Sequence, residues 1–281
     1  MTKLTIGVDT SNYTTSVSCV SEEGIVFDRR TVLSVPLGGR GLRQSEALFQ
    51  HVRNLPPLIE DMFGRIDHPS VAAVGLSAKP TDADDSYMPV FLAGALAAKS
   101  AAGALGVPLF EFTHQAGHIR AAMLGQEERF SEGTFLAMHL SGGTTDLLRV
   151  SAVGGQLAIE RVGGCEDLHA GQFVDRVGVA MGLPFPSGAS LEELARGATE
   201  RGVKLPSSVK GLNCSFSGQE TQCQRLMEKG EANETVAFAV YDCMARTFAK
   251  LLANAAFKTT CSKALLVGGV SGSALLRELL A

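Results

Sequence analysis

The chain has 281 residues, of which 45% are hydrophobic, so it is long enough for two α/β lobes with a sizeable core. The net charge is −4 without a long basic run, which argues against broad electrostatic binding to nucleic acid and leaves only a local basic patch as an option. The six cysteines form no CxxC pair and no apolar run reaches the ~20 residues of a membrane span, so we expect a cytoplasmic protein without a disulfide framework, a zinc ribbon or a membrane anchor.

Short strands and helices alternate through the first half of the chain. The run TIGVDTSNYTTSVSCV predicts a hairpin whose polar turn carries Asp9, Thr10 and Ser11, and it becomes polar too early for a signal peptide. A helical pattern follows over 43–66, and Pro56-Pro57 predict that this helix breaks or restarts. VAAVGLSA and VPLFEF read as strands on either side of the Ala/Gly-rich helix PVFLAGALAAKSAAGALG.

Strands and helices alternate in the second half of the chain as well. FLAMHLSGGTTDLLRVS predicts a strand, a glycine turn and a strand, and GQFVDRVGVAMGL, ASLEELARGATERG and the long run over 234–258 predict helices. KALLVGGVSG predicts a strand that ends in a glycine turn. The paired strand–turn–strand units at 4–20 and 135–150 indicate a duplicated α/β design, with lobes at 1–110 and 111–281.

Three groups of residues suggest chemistry, and each has a plain structural alternative. His114 and His118 lie four residues apart, so on a helix both imidazoles project from one face and can reach one ion, or they decorate a solvated face. The SGGTT turn exposes backbone N–H groups that suit anionic oxygen, or it is an ordinary hairpin bend. Asp175 and Glu192 are helix carboxylates that suit sugar hydroxyls, or they are exposed surface charges.

Seven motifs occur in the order of one known family. They are GVDTSNYTTSVSCV, HQAGH, LAMHLSGGTTDLL, GQFVDRVG, LPFPSGASLEELA, CSFSGQET and LLVGGVSGSALLREL. With these motifs the chain resembles the tRNA threonylcarbamoyladenosine synthase family, long called O-sialoglycoprotein endopeptidases or M22 glycoproteases. The resemblance implies a two-lobed actin/sugar-kinase/Hsp70-type fold with ATP in a cleft and a metal beside the phosphates. It also implies transfer from threonylcarbamoyl-adenylate to N6 of adenosine-37 in tRNA.

The resemblance also implies a set of site residues. The nucleotide-binding set is Ser141, Gly142, Gly143, Thr144, Asp175, Gly188, Glu192, Gly268 and Gly269. Asp9, Thr10 and Ser11 correspond to the polar first loop of the family. His114 and His118 occupy its HxxxH position, and His139 stands where archaeal and eukaryotic members have a metal-binding tyrosine. Three imidazoles suit zinc or iron, so we expect a divalent metal beside ATP or an acyl-adenylate.

Several positions depart from the family pattern. Tyr13 replaces an aspartate of the first loop, and tyrosine supplies no carboxylate near neutral pH. Gln172 replaces a glutamate and Glu220 replaces a lysine. Further differences lie at Thr144, Arg176 and Ser273, and in an acidic loop with Asp82, Asp84 and Asp85. These changes affect the chemistry and spare the fold, so they indicate a divergent paralogue.

Three functions are consistent with this pattern. The first is an ATP- or acyl-adenylate-binding, metal-dependent carbamoyltransferase-like protein, and the catalytic residues stay unassigned. The second is a non-catalytic nucleotide-binding paralogue that acts as a scaffold, either with a paralogous subunit or as a homodimer. An M22-type metallopeptidase ranks third because HxxxH lacks the general-base glutamate of HExxH. The resemblance implies tRNA as a partner, although the net charge does not support it.

Overall fold

The computed structural model describes residues 3–11, 13–35, 42–66 and 70–281. The chain divides into two compact units, residues 1–117 and 118–281. This division falls inside one helix and does not test the predicted lobe boundary near residue 110, which stays a prediction. The described elements of the first unit are β1 (Lys3–Asp9), β2 (Thr14–Ser21), β3 (Gly24–Val32), α1 (Gln44–Arg65), β4 (Ser70–Lys79), α2 (Phe91–Leu105), β5 (Leu109–Thr113) and the start of α3 (His114–Met123).

The first unit is built on one sheet with the strand order β3-β2-β1-β4-β5. β1 and β2 form the hairpin that the TIGVDTSNYTTSVSCV pattern predicted, β3 extends it to an antiparallel meander, and β4 and β5 continue the sheet in parallel. Alternate residues of β1, namely Leu4, Ile6 and Val8, are buried in the core. β1 is the central strand and ends at Asp9, so Thr10 and Ser11 follow at its carboxyl end.

The predicted break at Pro56 and Pro57 is wrong. Helix α1 runs without interruption through both prolines. Leu55 and Met62, on either side of them, are 4% and 1% exposed and pack into the core of the first unit. Burial of these side chains along one helix face therefore outweighs the loss of two backbone donors.

The second unit also contains a sheet in its described part, with the order β11-β6-β7-β8-β10-β9. Its elements are α4 (Glu127–Phe130), β6 (Gly133–Leu140), β7 (Thr145–Val153), β8 (Gln156–Cys165), α5 (Ala170–Ala180), α6 (Gly188–Arg196), β9 (Ser208–Lys210), β10 (Asn213–Ser215), α7 (Ser217–Glu228), α8 (Asn233–Thr259), β11 (Ala264–Val267), a short 3-10 helix (Gly269–Gly272) and α9 (Ala274–Leu280).

The two sheets share one topology. In each, three antiparallel strands are followed by a fourth strand parallel to the first, giving β3-β2-β1-β4 and β8-β7-β6-β11. This repetition confirms the duplicated α/β design. The core of the second unit gathers around α8, where Phe248 and Tyr241 are buried, and Phe173 stacks on Phe216 with ring centroids 5.3 Å apart.

Two further features concern the cysteines and the helices. All six cysteines are buried and free. Across the described residues, no helix combines the length and apolarity needed to cross a membrane.

Candidate functional site

The SGGTT turn joins β6 to β7. The Ser141 N–H donates to the Thr144 carbonyl oxygen at 2.8 Å and closes the turn, while Gly142 and Gly143 are exposed. The buried Thr145 Oγ1 accepts the N–H of Ala170, the first residue of α5, at 2.8 Å. The turn is therefore held against the N-terminus of α5, where the helix dipole favours negative charge.

Two glycines allow the backbone to approach this turn. A Cβ on Gly171 would lie 2.5 Å from Gly142 Cα and 2.6 Å from the Ser141 carbonyl oxygen. A Cβ on Gly268, whose φ is 93°, would lie 2.3 Å from the Leu140 carbonyl oxygen. Contacts this short exclude any side chain without backbone movement. Residues 141–145, 170–171 and 268 thus meet in one place, which we call the SGGTT cluster.

Asp175 lies one turn further along α5. Its Oδ1 accepts the N–H of Ser187 at 2.8 Å, and Ser187 packs so closely that a Cβ on Gly178 would lie 2.3 Å from Ser187 Cβ. Burial raises the pKa of Asp175, and the Ser187 hydrogen bond opposes that rise. Gly188 follows at the start of α6, and its carbonyl oxygen accepts the hydroxyl of Tyr241 at 2.9 Å.

Glu192 approaches the same tyrosine. The pKa of Tyr241 is raised by burial and then by the negative charges of Glu192 and Asp175. Glu192 Oε1 accepts the N–H of Leu275 at 2.8 Å, near the start of α9, and lies 3.3 Å from an Arg196 nitrogen. Burial alone would raise the pKa of Glu192, but the bonds from Leu275, Ser273 and Arg196 lower it. Glu192 is therefore already engaged in holding α9 to α6.

The predicted nucleotide residues fall into two groups within the second unit. The SGGTT cluster includes Ser141, Gly142, Gly143, Thr144 and Gly268, and Gly269 follows Gly268 directly. Asp175, Gly188 and Glu192 gather around Tyr241. No described atom outside the neighbouring residues lies within 4 Å of a Cβ on Gly269, so that position is open.

The first-loop residues lie in the first unit, and they divide into two roles. Asp9 Oδ2 lies 2.9 Å from His114 Nδ1, and its Oδ1 accepts the Ser11 N–H at 2.6 Å. Burial would raise the pKa of Asp9, but the hydrogen bond and charge of His114 lower it. Thr10 is fully buried, and its Oγ1 donates to the Val90 carbonyl at 2.9 Å and accepts the Gly94 N–H at 3.0 Å. Thr10 therefore fixes the loop to the start of α2.

The histidine helix α3 carries the predicted metal ligands. His114 begins it and His118 follows one turn later, as the spacing predicted. Within the second unit, the His118 and His139 rings lie with centroids 5.1 Å apart at 45°. Among the described residues, no group of three His, Cys, Asp or Glu side chains is arranged to hold a metal ion. The three-histidine site therefore stays a prediction, although two of its imidazoles are neighbours.

The departures from the family pattern have local roles. Gln172 Oε1 accepts the His169 N–H at 3.2 Å and so satisfies a donor at the start of α5. Glu220 Oε1 accepts the Gln224 side-chain amide at 2.8 Å on the same helix, α7. Tyr13 is 37% exposed. Each substitution is thus accommodated by hydrogen bonding or by exposure, which explains why the fold tolerates them.

Asp167 is a residue that the sequence reasoning missed. Its carboxylate accepts the N–H of Leu168, the hydroxyls of Ser215 and Ser217, and the N–H of Phe216 at 3.1 Å. Burial opposes ionisation, but these hydrogen bonds dominate and hold the pKa of Asp167 well below its usual range. Asp167 therefore ties the segment before α5 to the start of α7. In the sequence, Asp167 is notable only as an acidic residue three positions before α5. The two serines that bind it lie 48 and 50 residues further along the chain.

Comparison with known proteins identifies the family. Residues 38–281 match the family described as TsaD: tRNA N6-adenosine threonylcarbamoyltransferase. The chain belongs to the TsaD family. The match covers most of the chain and includes the SGGTT cluster, Asp175 and Glu192.

Relatives agree with this assignment. The tRNA N6-adenosine threonylcarbamoyltransferase of Carboxydothermus hydrogenoformans is 30% identical over 291 residues, covering 99% of this chain and 82% of that protein. That of Methanopyrus kandleri is 27% identical over 278 residues, covering 98% and 77%.

Two solved structures support the fold. HypF in a phosphate- and nucleotide-bound form has a TM-score of 0.61 at 12% identity over 99% of this chain and 50% of HypF. Component A of (R)-2-hydroxyglutaryl-CoA dehydratase from Acidaminococcus fermentans has a TM-score of 0.56 at 13% identity over 99% and 87%. The TsaD-family chain thus has the actin/sugar-kinase/Hsp70-type fold that its motifs predicted.

Proposed function

We propose that this TsaD-family chain binds ATP or an acyl-adenylate in its second unit and acts in metal-dependent carbamoyl transfer. The observation that carries the proposal is that α5 holds the SGGTT cluster at Gly171 and carries Asp175 one turn later, with Gly188 next to the Ser187 that Asp175 binds. The exposed Gly142 and Gly143 offer backbone N–H groups to phosphate oxygens, and the dipole of the adjacent α5 favours an anion there. The first two N–H groups of α5 are already bound, to Thr145 and Ser141. The second oxygen of Asp175 suits a ribose hydroxyl, since Ser187 already fixes the first.

The reaction would be the one that the names of the relatives describe. An amine nitrogen of adenosine attacks the carbamoyl carbon of the adenylate, the bond from that carbon to the phosphate oxygen breaks, AMP leaves and the nitrogen loses a proton. Holding the adenylate and the adenosine close together in the reactive orientation supplies much of the rate enhancement in such a transfer. The second unit would hold the leaving adenylate, and the acceptor we test first is tRNA adenosine.

A divalent cation would supply positive charge beside the phosphate as negative charge builds on the leaving group. We propose His114, His118 and His139 as its ligands from this chain. Imidazole nitrogens suit zinc and iron, and the His118 and His139 rings already lie side by side. If the proposal is right, added zinc binds to the wild type and His118→Ala abolishes that binding. The same zinc uptake by the variant would remove the pair from any metal site.

A second function is favoured by the departures at Tyr13, Gln172 and Glu220. Because Gln172 and Glu220 make local hydrogen bonds and Tyr13 provides no carboxylate, the chain retains a nucleotide cluster while lacking family side chains. A non-catalytic nucleotide-binding paralogue that pairs with a paralogous subunit, or with a second copy, fits this pattern.

One assay separates these two functions. The purified chain is incubated with zinc, tRNA and freshly made threonylcarbamoyl-adenylate, and the digested nucleosides are analysed by mass spectrometry. Carbamoyl transfer predicts threonylcarbamoyl-adenosine above the level that forms without protein, and its loss in Asp175→Ala. Nucleotide binding without product would support the scaffold instead.

A further inference from the structure

Two cysteines that the proposed function does not use lie on neighbouring strands of the sheet in the second unit. Cys165 ends β8 and Cys214 lies in β10, and the two strands are parallel with these residues directly in register. Registered residues on neighbouring strands point to the same face, and strands lie ~4.8 Å apart. That spacing falls inside the range of ~4.4–6.8 Å between the Cα atoms of disulfide-bonded residues.

The side chains also share one core. Both residues are buried, at 4% and 3% exposed, in the same cluster of apolar side chains. The Cys214 thiol beside it lowers the pKa of the Cys165 thiol, while burial and the Asp167 carboxylate oppose this fall, and the pKa of Cys214 is raised. We therefore assign the attacking role to Cys165. Glu166 and Asp167, the next two residues, are exposed, so the pair lies close to solvent.

We propose that Cys165 and Cys214 form a reversible disulfide in response to hydrogen peroxide. The Cys165 thiolate attacks one peroxide oxygen, the O–O bond breaks, and water leaves after protonation, giving a sulfenic acid. The Cys214 sulfur then attacks the Cys165 sulfur, the S–O bond breaks, and a second water leaves as the S–S bond forms. Two thiols and one hydrogen peroxide thus give one disulfide and two waters.

The bond would act on the start of α5. The Cys165 sulfur lies 2.9 Å from the Leu168 carbonyl oxygen and 3.3 Å from Asp167 Oδ1, and in the thiol form it can donate to either. A disulfide sulfur has no proton to donate, so the buried Leu168 carbonyl loses this donor. Because an unsatisfied buried acceptor disfavours the oxidised form, a thiol reductant should restore the thiols readily.

Peptide mapping tests the cross-link directly. The reduced full chain is treated with hydrogen peroxide, remaining thiols are alkylated under denaturing conditions, and trypsin releases peptides 162–176 and 211–225. We expect these two peptides to be joined through Cys165 and Cys214 and to separate with dithiothreitol. In Cys214→Ser, Cys165 should instead be oxidised to the sulfinic acid, because no second thiol traps the sulfenic acid. The matched variant Cys223→Ser should still form the link.

The second of these peptides also contains Cys223, so fragmentation must place the link. A link to Cys223, or no link at a peroxide dose that oxidises methionines of the same chain, overturns the proposal. Hydrogen exchange tests the effect on α5: amides within 166–173 should exchange faster in the oxidised wild type than in the reduced one, and Cys214→Ser should show no such difference. Unchanged exchange after complete cross-linking would overturn the coupling to α5.

Discussion

Adding one methyl group at Gly171 should disturb the SGGTT cluster. A Cβ there would lie 2.5 Å from Gly142 Cα, 2.6 Å from the Ser141 carbonyl oxygen and 2.9 Å from the Gly142 nitrogen. All three atoms belong to the backbone, so the turn itself must move. Overpacking of this kind costs about 1–3 kcal/mol. Alanine gains up to about 1 kcal/mol over glycine in a helix, and less in the first turn.

We therefore expect Gly171→Ala to lose about 1–2 kcal/mol of unfolding free energy and, in addition, most of its affinity for nucleotide. Urea unfolding gives the first quantity and calorimetric titration with ATP gives the second. Gly103→Ala is the matched control, because Gly103 is exposed on α2 and a Cβ there meets no described atom within 4 Å. The control should be neutral or about 0.5–1 kcal/mol more stable. Equal free energies of unfolding for Gly171→Ala and Gly103→Ala would refute the close backbone contact between Gly171 and the turn.

Two further predictions concern stability. Thr10→Val should cost about 1–3 kcal/mol in urea unfolding, because the buried Val90 carbonyl and Gly94 N–H lose their partner; an unchanged midpoint would contradict this role. Asp167→Asn should cost about 1–2 kcal/mol at pH 7, a figure reduced because Asp167 is exposed to solvent. Since folding lowers the pKa of Asp167, its stabilisation is present above the unfolded-state value near ~3.9 and is lost as the pH falls below it, so wild type and variant should converge in acid. A constant difference down to about pH 2 would refute the argument.

The sequence predicted the elements that local patterns determine. Alternation of apolar residues located β1 and β2, and the same alternation around the SGGTT turn located β6 and β7. The fold class came from the order of seven motifs, and the repeated strand order now gives it a physical basis.

The sequence failed where distant contacts decide the structure. Pro56 and Pro57 predicted a break, but the burial of Leu55 and Met62 keeps α1 continuous. The bonds from Asp167 to Ser215 and Ser217 join residues 48 and 50 positions apart, and no local pattern indicates them. Glu192 was predicted as a sugar contact, and its engagement with Leu275 depends on where α9 packs.

Calorimetric titration of the purified chain with ATP in the presence of a divalent cation tests the central claim most directly. Asp175→Ala should weaken binding by about 1.5–3 kcal/mol, the scale of a lost hydrogen bond to a charged group. Asp61→Ala is the matched control, because Asp61 lies on α1 of the first unit, paired with Arg65. The account predicts saturable binding to wild type and control with a roughly tenfold to hundredfold loss in Asp175→Ala. Equal affinity in all three proteins, or no binding to the wild type, would contradict it.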